Sequence, residues 1–214
     1  MPYWKRPEEL KRTLKSYEQY EQYEDIEVIV VDDGSWDTED FTIRLPKKDN
    51  ALNPCVPINR GVEIASGEII VLTGPEVTHR KPVLDKMKEE LERTGPKGYV
   101  IAATWSIQHK RWNCHSAVNH HIPGGWPVPP GSGFHFCTMM YKNFFNEVGG
   151  FDEDYREGQA FDDNDFLWRL HKHNAIFKMR DDLIVDHYPT KTIWPEGGWE
   201  RNRKIFESKW KLSA

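Results

Sequence analysis

The chain has 214 residues, room for one α/β domain with a sizeable core rather than two full domains. A formal charge of −5, from 29 Lys and Arg against 34 Asp and Glu, argues against a broad nucleic-acid surface. Three widely spaced cysteines suggest no disulfide framework or zinc ribbon, and no apolar run nears the ~20 residues of a membrane span, so a cytoplasmic protein is expected.

In residues 7–23, Leu10, Leu14 and Tyr17 form one stripe between charged residues, with Pro7 in the first turn; this predicts a helix. Residues 26–31 are a nearly continuous Ile/Val run, which predicts a strand buried on both faces. It stops at Asp32-Asp33-Gly34-Ser35. At the carboxyl end of a strand in an open α/β sheet such a loop binds ligands, the favoured reading here over the Asx turn that Asp-Gly-Ser also suits. A short strand at 41–45, a loop into a helix at 59–65 and a buried strand at 68–72 follow. Pro82 opens a helix with Leu84, Met87 and Leu91 at helical spacing, closed by Gly95-Pro96, and 99–104 is a third buried strand.

From 105 to 133 the chain is rich in Trp, His, Pro and Gly with no period, which predicts a long functional loop. Its histidines, His109, His115, His120 and His121, with His135 beyond, match no zinc spacing and read as part of a flexible His-rich loop. Beyond it, strands are expected at 135–141, 175–179 and 183–186, and helices at 143–148, 163–173 and 199–210. Strands alternating with helices predict an α/β fold with a mixed, mostly parallel central sheet flanked by helices.

Four stretches then stand in a known order. They are Pro2-Tyr3-Trp4-Lys5-Arg6; Val31-Asp32-Asp33-Gly34-Ser35; Asn59-Arg60-Gly61 with Ala65-Ser66-Gly67-Glu68-Ile69-Ile70; and Gly149-Gly150-Phe151-Asp152-Glu153 with Phe161-Asp162-Asp163-Asn164-Asp165. Over residues 2–190 the chain resembles family-2-like glycosyltransferases with the GT-A fold. The resemblance implies a nucleotide-sugar-binding half at 1–104, an acceptor and catalytic half at 105–190 and a C-terminal helix in 191–214. The implied activity is inverting transfer of a sugar, from a UDP-sugar by preference, to a hydroxyl of a glycan or other acceptor, as in polysaccharide biosynthesis.

Carried over residue by residue, Pro2, Tyr3, Arg6, Asp32, Asp33, Asn59 and Arg60 would bind the nucleotide. Tyr3 would stack on the base, and a carboxylate would accept the uracil N3–H. Asp163 would be the general base, with Asp162 in the place of the motif's Glu. Trp105, Trp126 and Arg169 would meet the acceptor; Arg169 is also placed to pair with Asp165 or to brace the catalytic loop.

Two departures from the pattern matter. Gly74-Pro75-Glu76 occupies the metal-binding DxD position with a single acid. Glu76 and His187 would then hold Mn²⁺ or Mg²⁺, or the enzyme would be metal-independent, with Arg60, Lys81 or Arg180 offsetting the diphosphate charge. The family's usual first strand is also missing ahead of Pro2. Two unpaired edges are therefore expected, filled by another segment or by a second chain in a homo-oligomer, unless the numbering begins inside a longer reading frame. The rival functions are a nucleotidyltransferase, whose Gly-rich activation loop is lacking here, and a non-catalytic carbohydrate- or nucleotide-binding descendant.

Overall fold

The computed structural model describes residues 1–21, 26–50, 52–116, 118, 136–189 and 195–211. In chain order its elements are β1 (Pro2–Tyr3), α1 (Pro7–Tyr20), β2 (Val31–Asp32), β3 (Ile43–Arg44), α2 (Cys55–Ile64), β4 (Ile69–Thr73), β5 (Val77–His79) and α3 (Leu84–Thr94). Then come β6 (Gly98–Ser106), β7 (Arg111–Cys114), β8 (Cys137–Tyr141), α4 (Lys142–Val148), α5 (Asp162–Lys172), β9 (Ile176–His187) and α6 (Gly198–Trp210).

The larger sheet is built around β6. Its residues alternate strictly: Tyr99 and Ile101 join a core with Phe144, Phe145, Phe166 and Leu170, while Val100 and Ala102 join one with Met87, Leu91 and Val185. Period-2 alternation with apolar residues on both sides is what a strand covered by helices on both faces requires. The strand order is β4-β8-β6-β9-β5, with β7 paired to the end of β6. A smaller sheet, β1-β2-β3, is wholly parallel.

The fold is α/β with a mixed sheet, as expected, but one detail is corrected. Among the described residues, only β1–β2, β2–β3 and β6–β9 are parallel; the ladders β4–β8, β5–β9, β6–β7 and β6–β8 are antiparallel. Two of these involve short strands that carry no apolar run, Val77–His79 and Arg111–Cys114, and the second lies inside the predicted long loop. The strands expected at 175–179 and 183–186 are one strand, β9, whose register against β6 shifts between Ala102 and Ala103. Because β4, β5 and β6 interleave with β8 and β9, the two halves read from the sequence share one sheet.

The run at 26–31 is the clearest difference. Only Val31–Asp32 forms a ladder; among the described residues, 26–29 belong to no strand, although the Ile29 carbonyl accepts from the Met1 amine at 2.8 Å. Among the described residues, β1 and β4 each lack a strand on their second side. A cavity of about 1390 Å³ lies between them, lined by Met1, Pro2 and residues 26–29 on one side and Ile69–Thr73 on the other. What holds the two sheets in place there is α1, through the Thr13 hydroxyl on the Pro75 carbonyl (2.7 Å) and Ser16 Oγ accepting from the His79 amide (3.1 Å). No described helix is long and apolar enough to cross a membrane.

Candidate active site

The chain enters α5 through Ala160 and Phe161, both left-handed (φ 60° and 69°), a conformation non-glycine residues adopt only under constraint. That turn delivers Asp162 and Asp163 together at the helix N-terminus, where the helix dipole favours anions. Asp162 is 6% exposed, and its Oδ1 accepts from Asn53 Nδ2 at 2.7 Å. Asp163 is half-buried and accepts from the Asn164 amide at 2.8 Å. Burial raises the pKa of both acids, and the neighbouring Asp162 charge adds to Asp163, which is pushed up to about 7. Both line the cavity, as do Asn53 and Glu76.

Glu76 and His187, far apart in sequence, meet here: His187 Nε2 lies 3.8 Å from Glu76 Oε1. The other Glu76 oxygen accepts from Arg6 Nη1 at 2.8 Å. Burial alone would push Glu76 up, but the neighbouring His187 and the Arg6 charge more than offset it, and the carboxyl lies below its ordinary value. The Asn113 amide donates to His187 Nδ1 at 3.3 Å, which leaves the imidazole proton on Nε2, aimed at Glu76. The other cations read from the sequence are engaged elsewhere. Arg60 pairs with Glu63 on an exposed helix face, Lys81 donates to the Asp182 carbonyl, and Arg180 pairs with Asp182 and Glu90. No group of three His, Cys, Asp or Glu side chains suited to a metal ion exists among the described residues.

The two acids after β2 have different surroundings. Asp32 is fully buried and accepts four hydrogen bonds: from the Ser35 amide (2.8 Å) and hydroxyl (2.7 Å), the Trp36 amide (3.1 Å) and Arg44 Nε (2.8 Å). A carboxylate offers about four such sites, so Asp32 is consumed by its own turn. Asp33 pairs with Lys48, and burial outweighs that cation, raising the Asp33 pKa. The Cys55 thiol at the start of α2 is pushed up to about 12 by burial, then by the charges of Asp162, Glu153 and Asp33.

Tyr3, expected to stack on a base, is 1% exposed; its ring packs with Leu10 and Val30, and its hydroxyl donates to Asp37 at 2.8 Å. Trp4 instead lies by Lys48, the partner of Asp33, with the Lys48 ammonium 5.2 Å from its ring centre. Pro2 lines the cavity wall. Asn59 fastens α2 to the Gly149-Gly150 turn, donating to the Phe151 carbonyl and accepting from its amide, both at 2.8 Å.

Of the acceptor residues, Trp105 packs edge-on against Trp112 (5.0 Å between ring centres) on the β6–β7 hairpin. Trp126 lies outside the described residues, as do His120, His121 and His135. Arg169 is committed to structure: its Nε donates to Asp165 at 2.7 Å and its Nη1 to the carbonyls of Val148 and Gly150. Sequence reading missed Trp199, 46% exposed, whose ring meets Phe161 at 5.4 Å beside the acid pair.

Comparison with known families gives one match: the pattern described as Glycosyl transferase family 2 covers residues 1–150. The chain belongs to glycosyl transferase family 2. Membership supports glycosyltransferase activity in general, with a nucleotide-sugar donor and an acceptor. The family match includes Asp33, Asn59 and Glu76 and ends before Asp162 and Asp163, so the acid pair rests on its own geometry. A comparison with curated proteins found no match.

Proposed function

We propose that this chain is an inverting glycosyltransferase that moves a sugar from a UDP-sugar to a hydroxyl of a glycan acceptor. The observation that carries the reading is the Asp162–Asp163 pair facing the same cavity as Glu76. Asp163, titrating near neutrality, takes the proton of the acceptor hydroxyl as that oxygen attacks the anomeric carbon. The bond from that carbon to the diphosphate breaks, and the leaving nucleotide carries away the negative charge. Asp33, with Lys48 and Trp4 around it, holds the base end of the donor.

The residues present do not fit a resident divalent cation. Glu76 is the one carboxylate at the DxD position, its second oxygen already carries the Arg6 guanidinium, and His187 presents it an N–H. In this reading Arg6 offsets the diphosphate charge, and no step runs through a metal. Three free, buried cysteines suit a reducing, cytoplasmic setting.

The test is Asp163→Asn against a panel of nucleotide-sugars, with and without Mn²⁺. Turnover of the preferred donor should fall by ~10²–10⁴-fold, the usual worth of a general base, with UDP affinity kept within a few-fold. Near wild-type turnover in that variant removes Asp163 as the base.

A further inference from the structure

We propose that Asn202, on the C-terminal helix α6, is a positioning residue that holds the turn presenting Asp163. This rests on Asp163 being the base. Asn202 is fully buried, and its amide donates to two carbonyls, Ala160 O in that turn and Tyr155 O at the end of the short 3-10 helix before it, each at 2.9 Å. Its Oδ1 accepts from Arg201 Nη1 at 2.9 Å, so the amide orientation is pinned.

The bond to Ala160 acts where the chain is strained. Ala160 and Phe161 are consecutive left-handed residues immediately before Asp162, and such conformations persist only where the surroundings over-determine them. Helix α6 supplies those surroundings. The Gly198 carbonyl accepts from the Gln159 amide at 3.0 Å, Asn202 holds the Ala160 carbonyl, and Trp199 and Phe206 hold the Phe161 ring at 5.4 and 5.5 Å. Further along α5, Trp210 Nε1 donates to Asp165 at 3.0 Å. The approach is tight: a Cβ on Gly158 would lie 2.1 Å from Asn202 Oδ1. Removing the amide frees two carbonyls and lets the turn relax toward ordinary backbone, swinging Asp163 away from Asp162 and into solvent.

The experiment compares Asn202→Ala with Glu207→Gln, a change to an exposed ion pair on the same helix, and with Asp163→Asn, in donor-to-acceptor transfer assays across pH. Asn202→Ala should lower kcat about tenfold or more, the scale of a small misplacement of a reacting group, with donor KM within twofold. The acid limb of its pH profile should move to lower pH, as Asp163 loses first its burial and then its neighbour's repulsion; Glu207→Gln should behave as wild type. Folded Asn202→Ala with unchanged kcat and acid limb overturns the proposal. Should Asn202→Ala not fold, the isosteric Asn202→Asp, which exchanges the two donors for an acceptor, is read by the same criteria. If Asp163→Asn retains turnover, the base assignment fails and this proposal falls with it. If Asp163→Asn is inactive while Asn202→Ala is normal, only the role of Asn202 is lost.

Discussion

Asn53 Nδ2 donates to Asp162 Oδ1 at 2.7 Å across 109 residues of sequence, both side chains being buried. The bond ties the loop ahead of α2 to the first residue of the helix that carries the base. Asn53→Ala leaves a buried carboxylate short of a donor, a loss of ~1–3 kcal/mol. For a chain of this length that lowers Tm by roughly 2–4 °C per kcal/mol. Thermal unfolding at pH 7 reads it directly; a melting point equal to wild type would show the bond to be idle.

Asp163 links stability to pH with a definite sign. Its folded-state pKa is raised from 3.8 to about 7, so the native state binds a proton the unfolded chain has released. The stabilisation is full below pH 4 and is lost as pH rises through about 7. Asp163→Asn has no such loss, so at pH 8 it should be more stable than wild type by ~2 kcal/mol, after discounting for partial exposure. The advantage should vanish near pH 4. Denaturant midpoints at the two pH values check both the size and the direction.

Adjacent acids should part company. Asp32→Ala strips four hydrogen bonds from a buried turn and leaves Arg44 without its carboxylate, a loss of ~3 kcal/mol or more. Asp33→Ala removes a partner of Lys48 but no backbone contact, and should raise the donor KM with a smaller effect on Tm. Paired melts and donor titrations distinguish the two; equal melting losses would contradict the division of roles.

Arg6 should matter more than added metal. Arg6→Ala takes the guanidinium partner from the half-buried Glu76 and should cut kcat by ~10²-fold as the leaving-group charge goes uncompensated. EDTA should leave wild-type turnover within a factor of two. Activity abolished by EDTA and restored by Mn²⁺ would return Glu76 and His187 to the role of metal ligands.

Much of this was readable from residue order, and the failures have physical causes. Helices α1, α3, α5 and α6 announced themselves through apolar spacing, because each buries one stripe. The acids at 33, 76 and 163 were legible from short motifs. Strand parity could have separated Tyr3 from Trp4, since neighbours on a strand face opposite ways. It could not have paired Arg6 with Glu76, 70 residues away, or set Asn202 beneath Ala160, because neither contact leaves a local trace. Asp32 was ambiguous for a different reason: a ligand loop and an Asx turn use the same residues, and only counting its acceptors decides.

Among the described residues the two sheets share no ladder, and side chains bridge the elements around the cavity: Thr13 on Pro75, Arg6 on Glu76, Asn53 on Asp162. Such tethers yield to urea sooner than a cooperative helix does. Rising denaturant should therefore silence catalysis while far-ultraviolet ellipticity is still native, with the gap between the two midpoints measuring how loosely the two sheets are geared.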